Sequence, residues 1–254
     1  MAYDRNKVIA IAIAEVGYLE KASNAQLDDK TANAGNKNYT KYARDMNAVT
    51  GFYNGNKQGA AWCDVFVDWC FVQAYGADAG RKLLCQPMRS AGAGVKWSAN
   101  YYKSKGQYFT DVPHAGDQIF FGKGGAYTHT GLVYQVANGK VYTVEGNTSA
   151  GKDVIPNGGT VCKKSYSLGN SRIMGYGRPA YGDTSQTAQA PAQTPSTGEA
   201  ESDGTKYVVK QGDTLWGLSQ RFLGRGNRYR EIMKANGMKN TILRPGMALK
   251  IPSR

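Results

Sequence analysis

Residues 63–75 read Cys-Asp-Val-Phe-Val-Asp-Trp-Cys-Phe-Val-Gln-Ala-Tyr. They are apolar on nearly every side of a helix and are followed by Gly76, so they predict a helix buried inside a folded unit. Cys63 stands in the first turn, where unpaired backbone N–H groups and the helix dipole favour a thiolate. Taken alone, Cys63 is more simply interpreted as a buried core cysteine.

The chain has two histidines that a thiol nucleophile could use as its base. His129 opens Thr-His-Thr-Gly-Leu-Val, a predicted strand of mainly β-branched, apolar and aromatic residues. His114 follows a proline in a predicted loop, and we interpret it as exposed. An imidazole at the start of a strand, directed at the first turn of a helix, is typical of Cys-His catalysis.

A third group must hold the imidazole in one tautomer and orientation, and the next predicted strand offers two candidates. This strand carries Glu145 and Asn147 and is joined to the His129 strand by Ala-Asn-Gly at 137–139. A two-residue turn would place both candidates on the opposite face from His129. A three-residue turn would pair His129 with Asn147, so catalysis predicts the three-residue turn.

The chain divides at a 23-residue segment, 183–205, that has no large apolar side chain. Such a segment cannot bury enough surface to fold, so we interpret it as a disordered linker between units at 1–182 and 206–254.

The net charge is +13, and the C-terminal unit carries 11 basic and 2 acidic residues. This charge suits a nucleic acid, an anionic membrane or an anionic cell-wall polymer. No nucleic-acid motif accompanies it, and no apolar run is long enough to span a bilayer.

The N-terminal residues and the cysteines bear on the cellular compartment. Residues 5–14 have a basic start and an apolar run, which is the outline of a signal peptide, but Glu15 interrupts the run and its helical spacing favours an amphipathic helix. We therefore expect no signal peptide. The four cysteines lack the paired spacing of zinc sites, so we expect reduced thiols.

Four segments of the N-terminal unit resemble the successive motifs of CHAP domains, which are papain-like cysteine, histidine-dependent amidohydrolases and peptidases. These segments are Ala-Trp-Cys-Asp-Val-Phe-Val at 61–67, Gly-Asp-Gln-Ile-Phe-Phe at 116–121, Thr-His-Thr-Gly-Leu-Val at 128–133 and Val-Glu-Gly-Asn at 144–147. Two earlier segments, 17–20 and 38–42, are similar to the entry segment of CHAP domains in phage endolysins. The resemblance implies an α+β fold of the papain-like, NlpC/P60 type with an antiparallel sheet over 1–182.

The same resemblance implies a role for each site residue. Cys63 is the nucleophile, His129 the general base and then acid, Glu145 the orienting group and Asn147 an accessory polar group. An exposed strand end and a turn former are the alternatives for the last two, and Gln58 is a candidate second oxyanion donor. Some CHAP domains bind calcium through acidic residues before the cysteine, but the sequence has none between 45 and 64, so we expect no metal and no cofactor.

The C-terminal unit, 206–254, resembles a LysM domain, a small βααβ module that holds N-acetylglucosamine-containing glycans between two loops. The resemblance rests on segments 207–216, 235–237 and 242–252. The glycan-binding residues that it implies are Gly212, Asp213, Thr214, Leu215, Asn236, Ile242 and Pro245. Helix capping by Asp213 and Thr214 is the alternative interpretation.

Together the two resemblances predict a peptidoglycan hydrolase, specifically a phage endolysin that cuts a cell-wall amide bond as an N-acetylmuramoyl-L-alanine amidase or a stem or cross-bridge endopeptidase. A bacterial autolysin with the same chemistry and a non-catalytic wall-binding protein are the alternatives. We expect a monomer whose partner is peptidoglycan, with no nucleic acid and no integral membrane association. We also expect it to stay in the host cytoplasm until a holin-type lesion releases it to the wall.

Overall fold

The computed structural model describes residues 3–151, 153–154, 158–182, 205–209, 213, 215–223, 228–238, 243 and 246–253. The chain divides into two compact units, Met1–Thr184 and Ser185–Arg254. Apart from Thr205, the predicted linker lies outside the described residues. Among the described helices, none has the length and apolar character needed to cross a membrane.

The predicted central helix is present with the predicted bounds. It is α3, and it begins at Cys63 and ends at Tyr75, with Gly76 as its C-cap. Ten of its 13 residues are buried, so nearly every side of it faces the core, and full burial of one Val or Phe contributes about 1.5–3 kcal/mol. The other helices of this unit are α1 (Arg5–Ala14), α2 (Lys41–Ala48), α4 (Ala77–Leu83) and α5 (Val95–Ser104).

An antiparallel sheet packs against these helices, which confirms the predicted α+β fold class. Its six strands run in the order β1-β6-β2-β3-β4-β5. They are β1 (Tyr108–Phe109), β2 (Gln118–Lys123), β3 (Ala126–Ala137), β4 (Lys140–Thr148), β5 (Thr160–Ser167) and β6 (Ile173–Gly177). Alternate residues point to opposite faces, so Phe120 and Leu132 join the helical core while Phe121 and Val133 join a second, smaller cluster.

The turn between β3 and β4 differs from the predicted three-residue turn. Ala137 pairs with Lys140, and the chain reverses through two residues, Asn138 and Gly139, with φ angles of 52° and 69°. Two positive φ angles are typical of a type I′ turn, whose twist matches that of the strands and which Asn-Gly strongly favours. The prediction of a three-residue turn is therefore wrong.

A β-bulge restores the register that the two-residue turn would have lost. The pairing shifts by one residue between Val133 and Gln135, which leaves Tyr134 as the extra residue of β3. Beyond the bulge Leu132 pairs with Val144, and the next residues of the two strands, Gly131 and Glu145, lie side by side. The bulge, rather than the turn, thus places Glu145 on the face of the sheet that carries His129.

The C-terminal unit has the predicted βααβ order. Its elements are β7 (Thr205–Val208), α6 (Leu215–Leu223), α7 (Tyr229–Ala235) and β8 (Ala248–Ile251), and the two strands pair antiparallel. Among the described residues of this unit, seven apolar side chains form a buried core, namely Val209, Leu215, Leu218, Leu223, Ile232, Leu249 and Ile251.

Candidate active site

Cys63 lies at the start of α3. The side chain of Trp62, the N-cap residue, makes no capping hydrogen bond, so it does not occupy the first-turn N–H groups of α3. Trp62 is instead fixed by its indole Nε1, which donates to Glu20 Oε2 over 3.0 Å. Cys63 is 4% exposed. The thiol therefore lies in a nearly dry position beside backbone donors and the positive end of the helix dipole.

A buried carboxylate holds the imidazole of His129. His129 Nε2 lies 2.9 Å from Glu145 Oε2, and both side chains are fully buried. Glu145 is itself held from two sides, because the Thr143 hydroxyl donates to Oε1 over 2.5 Å and the Tyr166 hydroxyl donates to Oε2 over 3.2 Å. The imidazole also stacks on Phe121, with ring centroids 6.0 Å apart. These contacts fix the ring orientation and keep a proton on Nε2.

Cys63 and His129 interact as a pair. Burial, the largest influence, lowers the pKa of His129, but hydrogen bonds and charge interactions with Cys63 and Glu145 together raise it to about 9. Because Glu145 occupies Nε2, Nδ1 is the nitrogen left for the thiol, and it makes no hydrogen bond to any described residue. The order thiol, imidazole, carboxylate is the arrangement of an activated nucleophile.

Gly131 makes room for the carboxylate. A Cβ atom at this position would lie 2.5 Å from Glu145 Cγ, a distance that no side chain tolerates. The glycine of Thr-His-Thr-Gly is therefore required by the close approach of Glu145 to the imidazole.

The Gly131→Ala variant is expected to displace Glu145 and to lower the pKa of His129 by about 1 pH unit or more, since an opposite charge at hydrogen-bond distance is withdrawn. A nuclear magnetic resonance titration of the imidazole measures this. Gly55→Ala is the matched control, because no atom lies within 4 Å of a Cβ atom at that position. An unchanged His129 titration in Gly131→Ala would show that the strand yields without moving Glu145.

Asn147, two residues after Glu145, has an unusual backbone conformation. Its φ is 52°, its side chain is fully buried, and neither polar atom of its carboxamide has a hydrogen-bond partner among the described residues. Its backbone oxygen accepts a hydrogen bond from Gly158 over 3.0 Å. Asparagine tolerates this backbone region better than most residues. Asn147 is thus buried two residues after Glu145, and its carboxamide has no hydrogen bond within the described part of the chain.

Other sequence candidates lie elsewhere. The carboxamide of Gln58 accepts from the Thr40 backbone over 2.9 Å and donates to Asn24 over 2.8 Å, so it holds the loop before α3 and is not directed at an oxyanion. His114 is exposed, as predicted. The four cysteines are free. Within the described part of the chain, no group of three or more His, Cys, Asp and Glu side chains is arranged to hold a metal ion.

The implied glycan-binding residues divide into two groups. Gly212, Thr214, Ile242 and Pro245 lie outside the described residues. Asp213 accepts from the Tyr207 hydroxyl over 2.8 Å. Leu215 is 2% exposed and belongs to the core of the unit. The Asn236 carboxamide bonds to the backbone of Ile232 and Lys250 over 2.7 Å. The side chains of Leu215 and Asn236 therefore contribute to packing and to the connection of α7 with β8, and the assignment of these residues to glycan binding stays a prediction.

Comparison with known proteins identifies domains in both units. Residues 53–147 match the CHAP domain and residues 207–252 match the LysM domain. The similarity of residues 17–20 and 38–42 to endolysin entry segments lies outside the first match and stays a prediction.

Two curated proteins show what the chain is similar to. A probable N-acetylmuramidase of Lactococcus lactis subsp. cremoris (strain MG1363) is 49% identical over 45 residues, which are 18% of this chain and 10% of that protein. The N-acetylmuramoyl-L-alanine amidase sle1 of Staphylococcus saprophyticus is 42% identical over 48 residues, 19% of this chain and 14% of that protein. The alignments thus span between a tenth and a seventh of these relatives. No solved structure matches the chain significantly.

Proposed function

We propose that this chain is a peptidoglycan hydrolase that cuts an amide bond of the bacterial cell wall by thiol catalysis. The observation that carries the proposal is the buried pair of His129 and Glu145, with Cys63 in the first turn of a buried helix, inside the region that matches the CHAP domain. The bond is that of an N-acetylmuramoyl-L-alanine amidase or of a stem or cross-bridge endopeptidase. A muramidase activity does not follow, because glycosidic bonds are cut by paired carboxylates and acyl bonds by this arrangement.

The chemistry proceeds in two acyl-transfer steps. His129 holds the thiol proton of Cys63 as an imidazolium, and the thiolate attacks the amide carbonyl carbon. First-turn N–H groups of α3 stabilise the oxyanion, and the imidazolium gives its proton to the leaving amine as the C–N bond breaks. Water, deprotonated by His129, then attacks the thioester, releases the carboxylic acid and restores the thiol. Glu145 keeps the imidazole in the tautomer that both steps require.

The C-terminal unit supplies affinity for the same polymer. It matches the LysM domain, and residues 206–254 carry 11 basic and 2 acidic residues, a charge that attracts anionic wall polymer. Connection to a wall-binding unit raises the concentration of the catalytic unit near its substrate without any new contact. Peptidoglycan is therefore both the binding partner and the substrate.

Mass spectrometry of the soluble fragments released from purified peptidoglycan tests the proposal. New amino and carboxyl ends are expected, and their identity names the bond: a free muramoyl lactyl group shows an amidase, and a new peptide end shows an endopeptidase. Retention on walls from several Gram-positive types without new ends would instead show a non-catalytic wall-binding protein.

The rate of fragment release is expected to fall as the pH rises through about 9. The pKa of His129 is raised from 6.5 to about 9, so the imidazolium that protonates the leaving amine persists above neutral pH and disappears as the pH passes that value. Initial rates between about pH 6 and about pH 10.5, corrected for the fraction of enzyme bound to the wall, measure this. Because Glu145 is one of the groups that raise this pKa, the decline should begin at lower pH in Glu145→Gln. An identical profile in both proteins would contradict the assignment.

A further inference from the structure

Two aspartates of α3 lie one helical turn apart and are buried. Asp64 and Asp68 are both acceptors of a glutamine Nε2. Gln118 donates to Asp64 Oδ1 over 3.0 Å, and Gln86 donates to Asp68 Oδ1 over 2.7 Å. Buried carboxylates are retained only where hydrogen bonds satisfy them, so each pair fixes α3 to the element that supplies the glutamine.

The pair of Asp64 and Gln118 is part of a hydrogen-bonded connection between the chain neighbours of Cys63 and His129. The Nε2 group of Gln118 also donates to the Thr130 hydroxyl over 3.1 Å, so a single carboxamide joins Asp64 to Thr130. Asp64 directly follows Cys63, and Thr130 directly follows His129. A continuous path of two hydrogen bonds therefore connects the chain neighbours of the two reacting side chains. We call this path the Asp64 bridge.

The Asp64 bridge is fixed at both ends. The Ser98 hydroxyl of α5 donates to Asp64 Oδ2 over 2.8 Å, and the Thr130 hydroxyl donates to the Ile119 backbone oxygen over 2.7 Å. All three members of the bridge are buried. Both N–H groups of Gln118 are used, and its Oε1 has no partner among the described residues. The bridge thus leaves little freedom in the spacing between the start of α3 and the start of β3.

We propose that Asp64 and Gln118 are positioning residues that set the separation of the Cys63 thiol and the His129 imidazole. The inference rests on the proposed function, because it takes these two side chains as the reacting pair. A displacement of about 1 Å between reacting groups lowers a rate by about 100-fold. Neither residue touches the substrate in this role, and both act through their chain neighbours.

The Asp68 pair offers a matched control within the same helix. It contains the same two residue types at similar distances, but Gln86 follows α4 and is not part of the sheet that carries His129. Gln118→Met and Gln86→Met each remove the amide donors and keep the length of the side chain. A purely structural role predicts equal consequences for the two substitutions.

The experiment compares the rate of iodoacetamide labelling at Cys63, the rate of fragment release and the melting temperature in both variants. Gln118→Met is expected to lower labelling and release by about 10-fold to 100-fold and to lower the pKa of His129. Gln86→Met is expected to leave labelling within about 2-fold for a comparable loss of melting temperature. Equal losses in both variants, or unchanged labelling in Gln118→Met, would overturn the proposal.

Thr130→Val decides the question if Gln118→Met does not fold, because it removes one end of the Asp64 bridge with almost no change of volume. Reduced labelling at Cys63 is expected, and labelling at the wild-type rate would overturn the proposal. Labelling requires no wall substrate, so the result stands apart from the proposed function. If the wild type releases no fragments while the labelling differences are found, the bridge is upheld and the hydrolase fails.

Discussion

Replacement of Cys63 by alanine is expected to lower the rate of fragment release from purified peptidoglycan by about 1,000-fold or more. The thiol supplies the electron pair that forms the acyl-enzyme, and the methyl group of alanine has none to replace it. Water attack assisted by the remaining oxyanion donors accounts for the residual rate. Retention of the variant on wall material should be unchanged, because the LysM match lies in the other unit.

Cys70→Ala is the control for this substitution. Cys70 lies on the same helix and is fully buried, and burial raises the pKa of its thiol far above the ordinary value. It is therefore expected to be inert, and its loss should cost about 1 kcal/mol of stability with release kept. Release by Cys63→Ala at the wild-type rate, or its abolition in a folded Cys70→Ala, would contradict the assignment of the nucleophile.

Glu145→Gln is expected to lower the turnover rate by roughly 100-fold to 10,000-fold. The carboxylate accepts the proton on His129 Nε2 over 2.9 Å, whereas a carboxamide that turns its NH2 group toward the ring forces the proton to Nδ1. Nδ1 then has no lone pair for the thiol proton. Turnover on wall fragments and the pKa of His129 measured by nuclear magnetic resonance are both expected to fall.

Tyr166→Phe separates this effect from general damage around the carboxylate. Its hydroxyl donates to the same Oε2 atom over 3.2 Å, but Thr143 and His129 still hold Glu145 when it is removed. A loss of about 10-fold or less is expected, since one neutral donor of several is withdrawn. If Glu145→Gln retains turnover within about 2-fold of the wild type, or if Tyr166→Phe loses as much, Glu145 is not the orienting group.

The parts of the site that carry local signals could be predicted from the sequence. Cys63 starts an apolar helix, His129 starts a strand, and Glu145 lies on the strand that follows the Asn-Gly turn. Thr143 also carried a signal, because it lies two residues before Glu145 on the same strand and therefore on the same face. Thr143 is absent from the predicted site, although its spacing of two residues predicts the contact with Glu145.

Other contacts have no local signal. The extra residue Tyr134 is an aromatic residue in a run typical of any strand, so nothing marks it as the position of a bulge. Tyr166 reaches Glu145 from β5, and Gln118 reaches Asp64 across 54 residues of sequence. These contacts form only when the sheet packs on α3, so the local sequence does not predict them.

The C-terminal unit shows a different limit. Its order of elements followed from the apolar pattern, but the same pattern does not separate a surface residue beside a loop from a core residue. Leu215 opens α6 directly after the implied binding loop, and yet its side chain is buried. Asn236 ends α7, where its carboxamide fastens the helix to β8.

The bulge at Tyr134 gives the β3–β4 hairpin one unpaired residue, and this residue belongs to β3. A single-residue deletion between Val133 and the turn can be absorbed by loss of the bulge, and the strands near His129 keep their partners. The same deletion after the turn would draw Glu145 out of line unless a second bulge formed on β3. Removal of one residue, by evolution or by loop grafting, should therefore be tolerated on the Ala137 side of the turn. On the Lys140 side the same removal should displace Glu145 and lower activity.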